Sequence, residues 1–420
     1  MFNLNFKFIR YIFKNIFPFY RNKELRHIFE LLQEGSSKKV VVARFVGGCV
    51  RKHLSGEKID DIDIATILTT DQIKEKLKNE NLKIVDTGTK HGTITLISKN
   101  FKLEITTLRK DIETDGRHAK VEYTDDWEQD SERRDFTINA IYLDINGKVF
   151  DPQMGTIDLK NNNVKFIGDP QKRIEEDYLR IIRFIRFRIM YGVKVETSTE
   201  NVIKQNLDGI KKISKERILL ELFKILDLKN FLNINDSINL KEIFNLIFPE
   251  FLYLNRLAKL KKVNNFSQIQ RNIILAVLLI DEEDNHEYFT HKYNVPIKIK
   301  ENLKKIASDI KNIKKNKDFF EKNILKNIYI NGKDHLVALN LIYFSINPKV
   351  KLKDFSYNLK KILKSNIPEF KINGKYLKKF GMEEGESMGK VLREIEDEWI
   401  RNNFKISNDK IEELIKVNSN

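Results

Sequence analysis

The chain has 420 residues, enough for more than one domain, and its 41% hydrophobic and 10% aromatic content can build real cores. A formal charge of +16 favours a polyanionic partner such as nucleic acid, although abundant Lys, Asn and Ile would raise the charge with no function attached. The single cysteine, Cys49, excludes an internal disulfide and a cysteine-rich zinc site, and fits a reducing, cytoplasmic location.

The first stretch, MFNLNFKFIRYIFKNIFPFYRNKELR, is apolar and basic. Lys7, Arg10 and Lys14 interrupt it too often for a spanning helix, and no small-residue cleavage site follows. An amphipathic segment over residues 1–26, packed on the body, is expected, with no stable membrane association; a membrane-surface helix is the minority alternative. Residues 27–170 read as mixed α/β. Short β-branched runs (VVARFVGG, DIDIAT, GTITLI, FKLEITTL, AIYLDI, KVFDP, NVKFIG) predict strands, and DQIKEKLKN predicts a helix. After Asp169-Pro170 the period changes. RIEEDYLRIIRFIRFRIM and SKERILLELFKILDL are helical in pattern, and helices are expected onward to residue 365. The expected fold is α+β: a mixed α/β head (27–170) followed by an extended helical arm that ends in a small helical module (366–420).

Within the head, FVGGCVRKHLSGEKIDDIDIAT reads as strand, tight turn and helix start. Gly47 and Gly48 let the backbone approach a ligand closely, and the helix N-terminus offers N–H groups to an anion. Asp61 and Asp63, one residue apart on a strand, share a face, and two hard carboxylates suit Mg²⁺. Each half alone has a plain structural alternative, a solvated DDID loop or a purely structural turn. Their order and spacing point to a phosphate cradle beside a metal pair, and so to chemistry on a nucleoside triphosphate. Cys49 in the turn reads as a small packing residue rather than a nucleophile. In FKLEITTLRKD, Glu104 offers the third carboxylate that a two-metal site needs, although an exposed strand residue looks the same.

A long polar stretch, RKDIETDGRHAKVEYTDDWEQDS, leads to ERRDFTINAIYLD. There Arg134 can pair with phosphate and Asp135 can accept from a ribose hydroxyl; a helix N-cap and its salt bridge fit equally. IEEDYLRIIRFIRF places Asp177 and Arg180 at i and i+3 on one helix face. An aspartate accepting from an exocyclic amino group, beside an arginine donating to a ring acceptor, matches cytosine and adenine and mismatches uracil and guanine. Arg183 and Arg186 continue the stripe and can hold phosphates. An ordinary amphipathic helix with a solvated charged face produces the same pattern.

In order, GGCVR with DDIDIAT, HGTIT, EITTLR, DGRHA, RRDFTINA, EEDYLR and SKERILLEL resemble the motifs of the class II tRNA nucleotidyltransferases, the family of CCA-adding enzymes and bacterial poly(A) polymerases. The strong matches run over residues 40 to 230, and GKYLKKFGMEEGESMGKVLREIEDEWI looks like the family's tail. The resemblance implies a polymerase-β-like nucleotidyltransferase head with a small mixed sheet, followed by an all-α neck (171–235), body (236–365) and tail (366–420). It puts Asp61, Asp63 and Glu104 at the catalytic metal positions, and Gly47, Gly48 and Arg51 at the triphosphate. Arg134 and Asp135 fall at the ribose motif, and Asp177 and Arg180 at the protein template, with Arg183 and Arg186 beside it. Asp115, Gly116 and Arg117 fall in the flexible loop, and Glu216 and Arg217 in the neck motif. It implies two Mg²⁺ ions, CTP and ATP as substrates, the tRNA 3′ end as partner, and template-independent addition of C, C and A with release of pyrophosphate.

Two residues depart from the pattern. Lys52 stands where an acid is usual, and Asp60 where a base is frequent. Beyond residue 235 the chain diverges, so its tRNA contacts do not carry over. VDTGTKHGTITLIS replaces the basic stretch of the poly(A) polymerases, the loop is full-length, and no HD dyad occurs among the seven histidines. The alternatives are a poly(A) polymerase, a partial A-adding or CC-adding enzyme, a nucleotidyltransferase acting on a small molecule, and an inactive RNA-binding relative.

Overall fold

The computed structural model describes residues 18–37, 39–88, 92–115, 118–192, 196–263, 269–316 and 318–418. The chain forms two compact units, Met1–Pro249 and Glu250–Asn420.

The first unit opens with helix α1 (Lys23–Gln33), capped by Asn22, whose side chain accepts from the amides of Glu24 and Leu25. Strands β1 (Ala43–Val46), β2 (Ile62–Thr66), β3 (Lys83–Gly88), β4 (Thr93–Ile97), β5 (Lys102–Thr107), β8 (Tyr142–Leu143) and β9 (Val149–Phe150) make one sheet in the order β3-β4-β5-β2-β1-β8-β9. Only the β2–β5 pairing is parallel, so the sheet is mixed as expected. Alternation along β5 buries Leu103 and Ile105 and turns Glu104 to the other face. Helices α1, α2 (Gly48–Ser55) and α3 (Thr70–Leu77) cover the apolar face, with Leu25, Ile28, Leu32, Val50, Ile73 and Leu77 in the same core as Phe45, Ile64, Ile94 and Ile105. Thr69 and Gln72 form a capping box that starts α3, the helix read in DQIKEKLKN.

One expected strand is missing here, and three strands were not expected. The polar stretch after Glu104 is an antiparallel hairpin, β6 (Arg109–Asp115) with β7 (His118–Tyr123). NVKFIG forms no strand and contributes an isolated bridge, Phe136 to Phe166. NLKIVDTG, for which no strand was expected, supplies β3.

After α4 (Trp127–Glu132) and α5 (Gly155–Lys160), the neck begins with α6 (Pro170–Glu176) and α7 (Leu179–Tyr191). Helices α8 (Thr197–Gln205), α9 (Lys215–Leu226) and α10 (Ile238–Ile247) follow. An aromatic cluster welds neck to head: the Phe184 ring stacks on Phe166 at 5.7 Å between centroids, and Phe187 meets Phe136 edge-on at 5.3 Å.

Among its described residues the second unit has helices and no strand. Its elements are α11 (Leu257–Lys261), α12 (Arg271–Leu279), α13 (Asn285–Lys292), α14 (Ile297–Lys315), α15 (Ile324–Asn331), α16 (Lys333–Ile346), α17 (Leu352–Lys364), α18 (Gly374–Lys378), α19 (Glu386–Arg401) and α20 (Asn408–Asn418). Basic side chains close two helix ends. Arg256 donates to the carbonyls of Val277 and Ile280 at the end of α12, and Lys259 donates to those of Phe344, Asn347 and Val350 at the end of α16. The last three helices share a small core of Leu377, Met388, Val391, Ile395, Ile411 and Ile415, the terminal module read in the sequence. Among the described residues, no helix is long and apolar enough to cross a membrane.

Candidate active site

The GG turn sits between β1 and α2. Gly47 is the N-cap of α2 at φ 71°, ψ −126°, a backbone conformation essentially restricted to glycine. No side chain caps the helix, and nothing lies within 4 Å of where a β-carbon on Gly48 would stand. A β-carbon on Gly47 would stand 3.7 Å from Asp63 Oδ2, so the turn and the carboxylate are neighbours. Asp63 lies in β2 with Glu104 as its register partner on parallel β5, which aims both carboxyls to one face. Asp61 precedes the strand by one residue and is exposed, so the DxD straddles the strand start rather than lying wholly within it. Burial raises the Asp63 carboxyl to about 6; the nearby charges of Glu104 and Asp61 add to the rise, while Arg134 and Arg51 oppose it.

Among the described residues, no three His, Cys, Asp or Glu side chains stand together in a group able to hold a metal ion. Glu104 is about half exposed, with Lys102 3.9 Å away. The donor chemistry nonetheless suits a hard divalent cation: hard oxygens only, and a half-buried carboxylate whose charge is disfavoured by desolvation and by its acidic neighbours. The two departures from the family pattern meet each other. Lys52, in the last turn of α2, pairs with Asp60 at 2.9 Å, so that helix does not lose an ion pair.

Arg134 and Asp135 are held more firmly than the sequence suggested. Asp130, fully buried on α4, accepts from Arg134 Nη2 at 2.9 Å, Arg133 Nη2 at 2.7 Å and Tyr142 Oη at 2.7 Å. Burial opposes ionisation there, but the two arginines win and hold Asp130 far below the usual carboxylate range. Asp135 accepts from Arg183 Nε at 2.7 Å, from Arg183 Nη2 at 2.6 Å and from Asn139 Nδ2 at 2.8 Å. Asn139 Oδ1 in turn accepts from Arg51, which is buried against the rings of Phe187 and Tyr191. Glu221, on α9, accepts from Arg186 Nε and Lys224 Nζ, both at 2.8 Å. One polar network thus runs from the helix behind the GG turn, through Asn139 and Asp135, to Arg183 and Arg186 on the neck.

The expected placement of Asp177 and Arg180 on one helix face is corrected by the structure. Asp177 and Arg180 do not lie on one continuous helix. Asp177 ends α6 in extended backbone (φ −155°, ψ 103°), and α7 starts beyond it. Asp177 Oδ1 caps Leu179 N at 3.1 Å, and Oδ2 accepts from Arg217 Nη2 at 2.8 Å. Arg180 is tied to Glu176 and to the carbonyl of Arg173. The pair is therefore positioned by a helix break, and Arg217 of the neck motif holds one member. Asp115 ends β6 opposite His118, while Gly116 and Arg117 lie outside the described residues. The sequence reading passed over Asp130, Asn139 and Glu221. Asp130 was within reach, because it stands four residues before Arg134 on a helix that starts at Asp126.

A family model described as the poly A polymerase head domain matches residues 43–165. Another, described as a probable RNA and SrmB-binding site of polymerase A, matches residues 192–254. Human CCA tRNA nucleotidyltransferase 1, mitochondrial, is 34% identical over 406 residues, covering 89% of this chain and 86% of that protein. The CCA-adding enzyme of Ligilactobacillus salivarius is 32% identical over 379 residues, covering 88% and 90%. The crystal structure of the Bacillus stearothermophilus CCA-adding enzyme in complex with CTP shares the fold at a TM-score of 0.67 and 23% identity, covering 94% of this chain and 96% of that one. The fold is thus a nucleotidyltransferase head continued by helices. More narrowly, the chain belongs to the family of CCA tRNA nucleotidyltransferases. The family implies use of a divalent metal.

Proposed function

We propose that this protein adds C, C and A to the 3′ end of tRNA from CTP and ATP, without a nucleic-acid template, releasing pyrophosphate. The observation that carries the reading is where one network begins and ends: Arg51, on the helix that starts at the Gly47 turn beside the Asp63–Glu104 carboxylate face, is linked through Asn139 and Asp135 to Arg183 on α7, the helix that carries Arg180. Similarity to CCA-adding enzymes across most of both chains supports the same conclusion.

In this reading the α-phosphate lies near Asp63, and the tRNA 3′ hydroxyl attacks it in line. Asp61, Asp63 and Glu104 would hold two Mg²⁺ ions, which when bound lower the pKa of an attacking hydroxyl and neutralise leaving-group charge. Gly47 and Gly48 leave the first amides of α2 open to phosphate oxygens, and Arg51 adds positive charge behind them. Arg134 and Asp135 bound the ribose side. The Asp177 carboxylate accepts the exocyclic amino group shared by cytosine and adenine, and Arg180 donates to the adjoining ring acceptor. Asp115, Gly116 and Arg117 belong to the loop that accompanies the change from C to A. Residues 27–170 act as the catalytic head and 171–235 as the nucleotide-selecting neck; 236–365 and 366–420 hold the RNA. A cytoplasmic location belongs to the same reading, supported by the single buried thiol at Cys49; recovery of the protein in an organelle fraction would replace it.

Asp63→Ala is the test of the carboxylate face. It should abolish nucleotide transfer while tRNA binding, measured by filter retention, survives. Turnover comparable to the parent enzyme would refute the assignment.

A further inference from the structure

Besides the cap of Asp177 on Leu179 N, a close packing contact marks the break that sets Asp177 apart from α7. Tyr178 occupies the break, half-buried, and its ring rests on the backbone of Gly209. A β-carbon on Gly209 would stand 2.0 Å from Tyr178 Cδ1 and Cε1 and 2.5 Å from Cγ, closer than any real contact. Gly209 does not have positive φ, so the position demands glycine for space rather than for backbone freedom. The 3-10 segment that carries it, Leu207–Lys212, is fixed on both sides of the contact. Lys212 Nζ stands 5.3 Å from the Tyr178 ring centroid. Just ahead of the segment, Asn206 donates to Gln171 Oε1 of α6 at 2.8 Å, and Gly209 N donates to Asn206 O at 3.0 Å. Hydrophobic periodicity through Ile174, Leu179, Ile181 and Ile182 would otherwise allow one continuous helix. A continuous helix would give Asp177 helical backbone in place of the extended conformation that now sets its reach to Arg217.

We propose that Gly209 and Tyr178 are positioning residues for nucleotide choice. The Gly209 notch seats the Tyr178 ring, the seated ring keeps α6 and α7 apart, and the break holds Asp177 extended against Arg217. The inference rests on the reading of Asp177 and Arg180 as the base-selecting pair. It concerns the ring and not the phenol, since the Gly209 contacts are to ring carbons.

The test compares kcat/KM for CTP against UTP, and for ATP against GTP, in the full chain with tRNA acceptors. Gly209→Ala and Tyr178→Ala should each lower these ratios by about tenfold or more, the range expected when one base-reading pair is misplaced. Tyr178→Phe should keep the parent ratios. Tyr178→Ala introduces no clash, so it keeps the test open if Gly209→Ala does not fold. A merely structural role would lower activity with all four triphosphates together and leave the ratios unchanged. Asp177→Ala separates the two levels of the reading. If it relaxes the ratios while Tyr178→Ala leaves them intact, the positioning role is overturned and the pair stands. If Asp177→Ala itself leaves them intact, the base-selecting pair is wrong and the positioning role falls with it.

Discussion

Asp135→Asn removes a charge from the middle of the network and keeps the shape. Burial pushes the Asp135 carboxyl up, but Arg183 and the hydrogen bond from Asn139 outweigh it and draw it from an ordinary 3.8 down to about 2. That depression corresponds to about 2 kcal/mol of stability at neutral pH. Breaking a buried ion pair costs about 3–5 kcal/mol. The Arg183 side chain keeps 31% exposure and has Glu221 3.9 Å away as a second acceptor, which places the loss at the low end. We expect Asp135→Asn to cost about 2–3 kcal/mol at pH 7, measured by urea unfolding with tryptophan fluorescence. The folded pKa lies below the unfolded one, so this contribution is complete above the unfolded value and drains away as pH falls through about 2. The gap between parent and variant should therefore narrow by about 1 kcal/mol between pH 5 and pH 3. A penalty under about 0.5 kcal/mol at pH 7, or a gap that stays constant with pH, would refute the reasoning.

Other residues give equally specific expectations. Gly47→Ala forces an L side chain into φ 71°, ψ −126° and should cost about 1–3 kcal/mol and most of the activity, whereas Gly48→Ala, with open space around it, should melt near the parent temperature. Burial raises the Cys49 thiol to about 11, so iodoacetamide at pH 8 should leave the native protein unlabelled and label it in urea. Lys259→Met strips a donor from three carbonyls at the end of α16 and should lower the stability of the second unit by about 1–3 kcal/mol in a denaturant titration.

The parts of the site legible in the sequence are those written in local pattern. A glycine pair between apolar runs gave the β1–α2 turn, and β-branched alternation gave the strands that carry Asp63 and Glu104. The hairpin over residues 109–123 was illegible because its strands carry mixed charge instead of an apolar face; it is held by backbone pairing and by cross-strand contacts such as Lys110 to Glu122 at 2.9 Å. The break at Asp177 was hidden for the opposite reason. Its apolar periodicity is helical, the local sign is the single cap of Asp177 on Leu179 N, and Gly209, on which Tyr178 rests, lies thirty-two residues further on in a segment with no helical pattern of its own. Ion pairs of long sequence separation were equally out of reach: nothing near Asp135 announces Arg183, and nothing near Arg186 announces Glu221.

The central claim is tested most directly by offering the protein a tRNA that lacks its CCA end, with Mg²⁺ and each labelled triphosphate singly and then CTP and ATP together. The account predicts two residues added from CTP alone, a single terminal A once ATP is also present, and no addition from UTP or GTP. Long A-tails, C addition that never proceeds to A, or no transfer at all would contradict it.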